Sequence, residues 1–330
     1  PNVLPEELTM TDSQTTTSSA HCGLRRSVRV RFTGSDGLSL WASRHGEDTA
    51  PPVLLLHGGG QTRHAWSDTA IALADAGYCA FSLDARGHGE SDWSREGDYS
   101  ARALAADLSA VIRSLPARPV IVGASMGGLT ALLTLGEDTS LDCEALVLVD
   151  VAPRLEPRGV RRIIEFMRHH QDGFETLEQV RDAITAYNPR RPPSKDLSGL
   201  RKNLRQHGNG RFYWHWDPAF LNHANAPTKA GSMFDRARLE LAARQLDVPV
   251  LLIRGYYSDV LSDRGATELL TLIPEARYVV LKQAGHMVAG DRNSVFTEAV
   301  LQFLKERPAA TEPESCRTAT TEQHHETPLS

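Results

Sequence analysis

Cysteine is scarce in this chain. The 330 residues hold four, Cys22, Cys79, Cys143 and Cys316, far apart and with no Cys-x-x-Cys pair. That spacing excludes a disulfide framework and a cysteine zinc site, and it favours a reducing compartment. Two of the four fall in apolar strand-like runs, where a free thiol behaves as a small hydrophobe. Long hydrophobic runs are missing too. No stretch approaches the ~18 consecutive apolar residues of a membrane-spanning helix, and no apolar signal-peptide core opens the chain. A cytoplasmic location is expected, and the start at Pro1 leaves room for residues ahead of it. Charge of one sign is also thin. The formal net charge is −5, and the arginines around Arg158, Arg161 and Arg162 and again at Arg190 and Arg191 read as solvated helix faces and loop ends. Neither nucleic acid nor a membrane surface is therefore expected as a partner. A small-molecule substrate is expected instead, and the oligomeric state stays open.

What is present is ordinary globular material, 41% hydrophobic and 23% charged, long enough for one large α/β domain with an insertion. Residues 1–26 are rich in Thr and Ser and 309–330 in Thr, Glu and His, so both ends are expected to be disordered. The pair His324-His325 in that tail reads as solvated rather than metal-binding.

Between the ends, strand-like and helix-like segments alternate. Ser27–Thr33 and Leu38–Arg44 read as an opening hairpin across Gly34–Gly37. Strands are expected at Val53–His57, Tyr78–Leu83, Val120–Val122, Ala145–Val151, Val248–Arg254 and Arg277–Lys282, with helices between them. This order implies a mostly parallel sheet covered on both faces. The core is assigned to 27–152 and 247–308. The stretch 153–246 is too long for a loop and mostly helical in pattern, and it reads as a cap over the carboxyl ends of the strands.

The most informative segment is Val120–Gly128, an apolar strand that ends in Gly123-Ala124-Ser125-Met126-Gly127 and passes at once into a helix. A serine on so tight a strand-to-helix turn is lifted above the sheet with its hydroxyl exposed, and the flanking glycines avoid a collision. The helix that follows points free N–H groups and a positive dipole end at any developing oxyanion. A serine nucleophile needs a base and an orienting acid. His286, in Ala284-Gly285-His286-Met287, follows one strand and Asp259 follows the strand before it, so both reach the same sheet edge in the order Ser…Asp…His. Asp259 is preferred because its strand neighbours the histidine's. Asp150, at the end of Ala145–Val151, is the rival acid on the same edge. Asp259 could alternatively cap the next helix, a task open also to Ser262, and Asp291 is a weaker candidate. An anion site should combine the N–H of Met126 with one from the loop His57-Gly58-Gly59-Gly60, with Gly59 the expected donor and Gly60 close behind. No Gly-Lys-Ser/Thr follows those glycines, so they do not read as a phosphate loop, and His57 reads as a structural hydrogen-bonder rather than a base. Trp66, Trp214 and Trp216 could shape an apolar pocket or simply pack the cap to the core. No cofactor and no metal site is expected.

These residues together resemble the α/β-hydrolase fold family, on the serine-hydrolase side of its lid-bearing branch, which includes esterases, lipases, C–C bond hydrolases, epoxide hydrolases and cofactor-free haloperoxidases. The resemblance spans about residues 27 to 307. It rests on His57-Gly58-Gly59 with Trp66, on Asp84–Ser91, on Gly123–Gly128, on Ser258-Asp259 and on Gly285-His286-Met287. In that family the Asp84–Ser91 segment is a structural loop at the rim of the active site. Epoxide hydrolases and haloalkane dehalogenases of the family carry an aspartate nucleophile, whereas this chain has Ser125. The resemblance implies cleavage of a carboxylic ester or similar acyl bond. A C–C hydrolase or perhydrolase with the same residues, and a non-catalytic receptor on the same fold, are the alternatives.

Overall fold

The computed structural model describes residues 27–190, 196–224, 233–288 and 293–306. The two expected disordered ends, Cys22, Cys316, His324, His325 and Asp291 lie outside the described residues. One eight-stranded sheet dominates. Its strands are β1 (Val28–Thr33), β2 (Ser39–His45), β3 (Pro52–Leu56), β4 (Cys79–Leu83), β5 (Val120–Ala124), β6 (Ala145–Val149), β9 (Val250–Gly255) and β10 (Arg277–Leu281). The order across the sheet is β1-β2-β4-β3-β5-β6-β9-β10. Antiparallel pairing is confined to β1–β2 and β2–β4, and every other neighbour is parallel. The opening hairpin therefore forms the flank of a parallel sheet.

Period-two side-chain alternation sorts the central strands into two apolar layers. Leu54, Leu56, Ile121, Leu146, Leu148 and Leu252 face one cluster, shared with α2 (Ala101–Ser114), α3 (Met126–Glu137) and α8 (Asp263–Leu272). Val53, Leu55, Val120, Val122, Val147 and Ile253 face the other, packed by α1 (Ser67–Asp75) and α9 (Asn293–Glu306). Burial on both faces explains why these strands read as continuous apolar runs. At ~25 cal/mol per Å² of apolar surface removed from water, these two layers hold the sheet together.

Between β6 and β9 the chain forms α4 (Pro157–Arg168), α5 (Leu177–Tyr187), the hairpin β7 (Leu204–Gln206) and β8 (Phe212–Trp214), α6 (Phe220–Ala224) and α7 (Arg236–Arg244). Two features depart from a purely helical cap. The aromatic run at Phe212 is a strand, paired antiparallel with Leu204–Gln206. And α7 buries Leu239, Ala242 and Ala243 in the layer of α2 and α3. The rest of the insertion has its own apolar cluster, where Met167, Phe174, Val180, Trp214 and Trp216 meet Tyr99, Leu104 and Met126 of the sheet domain. No described helix is long and apolar enough to cross a membrane.

Candidate active site

Ser125 sits between β5 and α3 with φ 47° and ψ −115°, a backbone conformation rarely open to an L-residue with a side chain. Such strain costs of order 1–3 kcal/mol and must be held in place by its surroundings. Three glycines hold it. A Cβ on Gly123 would lie 2.6 Å from the backbone of Gly128, one on Gly127 2.6 Å from the Leu56 carbonyl, and one on Gly128 2.6 Å from the Gly123 carbonyl. The turn closes only without side chains at these positions. Ser125 N–H donates to Val149 O of β6 at 3.2 Å, and its own carbonyl starts α3 by accepting from Leu129 N–H. The N–H groups of Met126, Gly127 and Gly128, at the first turn of α3, have no acceptor within the helix.

His286 follows β10 and lines the same cavity as Ser125. Its Nδ1 lies 2.6 Å from the carboxylate of Asp150, not that of Asp259. This corrects the preference for Asp259. Asp150 stands directly after β6, fully buried and at φ 53°, and its N–H donates to Ile253 O of β9. Its carboxylate accepts from the Gly255 N–H at 2.8 Å and the Ser258 hydroxyl at 2.5 Å, besides its contact with His286. Ser258 in turn accepts from the N–H groups of Val260 and Leu261, which fixes its hydroxyl direction. Asp259 points outward instead and pairs with Arg162 of α4 at 2.6 Å, both side chains well exposed. Ser262, rather than Asp259, caps α8 by accepting from Gly265 N–H. The reason is topological. β6 lies between the serine's strand and β9, so its end points into the gap between Ser125 and His286, and the turn after β9 supplies donors to the acid rather than the acid itself.

The glycine loop is equally ordered. Gly58 N–H donates to the Gln61 side-chain carbonyl at 2.9 Å, and Gly60 N–H donates to His88 Nε2 at 3.2 Å. Of the three glycine amides, that of Gly59 has no hydrogen bond among the described residues, and Gly59 lines the cavity beside Ser125. Gln61 also donates to Met287 Sδ at 3.0 Å, which ties this loop to the residue after His286. His57 is fully buried. Its Nδ1 donates to Gly58 O and its Nε2 accepts from Ala85 N–H. Burial pushes its pKa down, against the opposing pull of Asp84. Both ring nitrogens are occupied by backbone, as a structural hydrogen-bonder requires.

The cavity over these residues has a volume of about 610 Å³. Apolar walls come from Ile163, Phe166, Met167, Trp214 and Trp216 of the insertion, and Asn188 and Asn203 add amide groups. Trp214 and Trp216 stack at 5.0 Å with planes 13° apart, and Trp66 packs on Phe296 at 5.7 Å. All three tryptophans line the cavity and all three are buried, so each serves the pocket and the packing together. Among the described residues no three His, Cys, Asp or Glu side chains are grouped to hold a metal ion.

Sequence reasoning misses the roles of Ser258 and Gln61, whose only local signal is a polar residue in a tight turn. It also misses His88 and His215. These join His57 in a buried row, with ring centroids 5.2 Å and 5.7 Å apart.

The family model for the α/β hydrolase fold matches residues 51–292. The esterase Rv0045c of Mycobacterium tuberculosis is 30% identical over 266 residues, which cover 78% of this chain and 84% of that one. A solved structure of that esterase superposes with TM-score 0.68, covering 85% of this chain and 92% of its own. The structure of an E-2-(acetamidomethylene)succinate hydrolase gives TM-score 0.73 at 23% identity, covering 85% and 100%. The strained serine turn, the parallel sheet and these matches agree: the chain belongs to the α/β-hydrolase family and is a hydrolase.

Proposed function

We propose that this chain is a serine hydrolase that cleaves a carboxylic ester or similar acyl bond in a small, partly apolar substrate. The observation that carries the reading is the strained Ser125, which shares one cavity with a histidine held by the buried Asp150 carboxylate. In the reaction, Ser125 Oγ attacks the carbonyl carbon as His286 Nε2 takes its proton. Asp150, on Nδ1, fixes the imidazole in the tautomer that leaves Nε2 free and stabilises the imidazolium that forms. The carbonyl oxygen becomes an oxyanion, and the N–H groups of Gly59 and Met126 receive it. The C–O bond to the alcohol then breaks, and His286 returns its proton to the leaving oxygen. Water repeats the sequence on the acyl-serine, releases the acid and restores Ser125. The reaction needs only these groups and water. The insertion acts as a lid, and its aromatic wall favours substrates with an apolar acyl or alcohol part.

A panel of small p-nitrophenyl esters tests the reading. Wild type is expected to turn over at least one, and Ser125→Ala to lose ~10⁴-fold or more of kcat with its thermal transition unchanged. Undiminished turnover in that variant would remove Ser125 from the mechanism.

A further inference from the structure

Three consecutive peptide groups of the glycine loop are each held by a different buried histidine. In the peptide joining Gly58 to Gly59, the Gly58 carbonyl accepts from His57 Nδ1 at 2.8 Å. In the next, the Gly60 N–H donates to His88 Nε2 at 3.2 Å. In the third, the Gly60 carbonyl accepts from His215 Nε2 at 3.3 Å, while the Gln61 N–H turns back to Gly58 O at 3.1 Å. A peptide is planar, so fixing either its N–H or its C=O fixes both. His57 therefore sets the direction of the Gly59 N–H, and the other two rings set the planes that follow it.

The second nitrogen of each ring is also taken by backbone. His57 Nε2 accepts from Ala85 N–H at 3.1 Å, His88 Nδ1 donates to Arg86 O at 3.1 Å, and His215 Nδ1 accepts from Gly89 N–H at 2.8 Å. Each imidazole thus has one donor and one acceptor role, which only the neutral form can fill. His57 and His88 carry the proton on Nδ1, and His215 carries it on Nε2. All three are at most 1% exposed.

His57 and His88 come from the sheet domain, but His215 belongs to the insertion. It follows β8 and is followed by Asp217, whose N–H donates to Gly87 O and whose carboxylate accepts from the Tyr99 hydroxyl. Arg205 of β7 adds a bond to Gly89 O at 2.9 Å. The hairpin therefore docks on the loop 84–91 and carries one imidazole to Gly60.

We propose that His215 is a positioning residue for the anion site: by bridging Gly89 N–H and Gly60 C=O it ties the Gly60–Gln61 end of the glycine loop to the seated insertion, and so steadies the Gly59 N–H that His57 aims at the reacting carbonyl oxygen. The proposal rests on the serine-hydrolase reading above and adds the part the insertion plays in assembling the site. Seating the insertion then completes the set of three histidine contacts on the glycine loop. Unseating it leaves the third peptide with only the Gln61 N–H bond to Gly58 O and slackens the loop that carries the Gly59 N–H.

The test compares wild type, Ser125→Ala, His215→Phe and His215→Gln on one p-nitrophenyl ester. Phenylalanine keeps the ring's shape without its two bonds. Glutamine can restore both, since its carbonyl accepts from Gly89 and its amide donates to Gly60. His215→Phe is expected to lower kcat by ~10- to 100-fold with KM within ~3-fold, the pattern of an interaction made in the transition state. His215→Gln is expected to recover most of that loss. Wild-type kcat in His215→Phe, a loss confined to KM, or a loss that glutamine leaves untouched would overturn the proposal while the loss in Ser125→Ala keeps the reading intact. Retained activity in Ser125→Ala would overturn both. Should His215→Phe fail to fold, ¹⁵N NMR of the wild type decides. The expected tautomers are Nε2–H at His215 and Nδ1–H at His57 and His88, and an Nδ1–H tautomer at His215 would contradict the bridge.

Discussion

Asp150 and Asp259 stand just beyond neighbouring strands of one sheet, yet their surroundings are opposite. Asp150 is fully buried, and one backbone N–H and one hydroxyl donate to it where it meets the histidine. Asp259 is exposed and answers to a single arginine on the insertion. A buried carboxylate needs such donors, because an isolated charge out of water is costly. Asp150 has them because β9, the neighbour of β6, ends at Gly255 and turns through Ser258 beside it. An exposed ion pair of the Asp259 kind is worth ~0–1 kcal/mol. Two acids of the same type at the same edge therefore have different uses, and donors decide which is which.

Exchanging the acids' properties breaks the comparison most sharply. Asp150→Asn keeps the shape but cannot hold the imidazole in the needed tautomer, and kcat for ester hydrolysis is expected to fall ~10³- to 10⁴-fold. Steady-state kinetics on purified variants checks this. Next in size is Gly123→Ala, whose new Cβ would meet the backbone of Gly128 at 2.6 Å. Expression yield and a thermal melt should show a loss of ~3 kcal/mol or more, because neither partner is a side chain that can swing away. Ser258→Ala removes one donor from a buried carboxylate, and ~1–3 kcal/mol in stability or an equivalent fall in kcat is expected. Asp259→Asn is the smallest, with kcat within ~3-fold and stability within ~1 kcal/mol of wild type.

The histidine row gives a pH dependence of a different kind. Burial lowers the pKa of His57, of His215 to well below its usual value and of His88 to about 3. In the unfolded chain each titrates near the ordinary ~6.5. As pH falls below that value, the unfolded chain binds protons that the folded one refuses, so stability drops, and for His88 the drop continues until about pH 3. Each such group contributes a slope of up to ~1.4 kcal/mol per pH unit in this window. Urea melts at pH 7 and pH 5 should show the decline, and a folded His215→Gln should lose one proton from it.

The serine turn was legible in the sequence because backbone sterics dictate it: glycines at 123, 127 and 128 are the residues that such a turn admits. The sheet was legible because strands buried on both faces read as apolar runs. The acid was not. Adjacency of β9 to β10 pointed to Asp259, but which strand end is buried among donors depends on packing that no local pattern encodes. The hairpin at Phe212–Trp214 was hidden because all three residues are aromatic, so the alternation of buried Phe212 and Trp214 with half-buried Tyr213 leaves no trace in the residue types. The histidine row joins residues 57, 88 and 215, and only the docking of the insertion brings the third to the other two.

The most direct test of the central claim is labelling with a small fluorophosphonate followed by peptide mapping. Phosphylation is expected on the peptide that contains Ser125, absent in Ser125→Ala, much slower in Asp150→Asn and close to the wild-type rate in Asp259→Asn. An adduct at another residue, or slow labelling in Asp259→Asn with normal labelling in Asp150→Asn, would contradict the account.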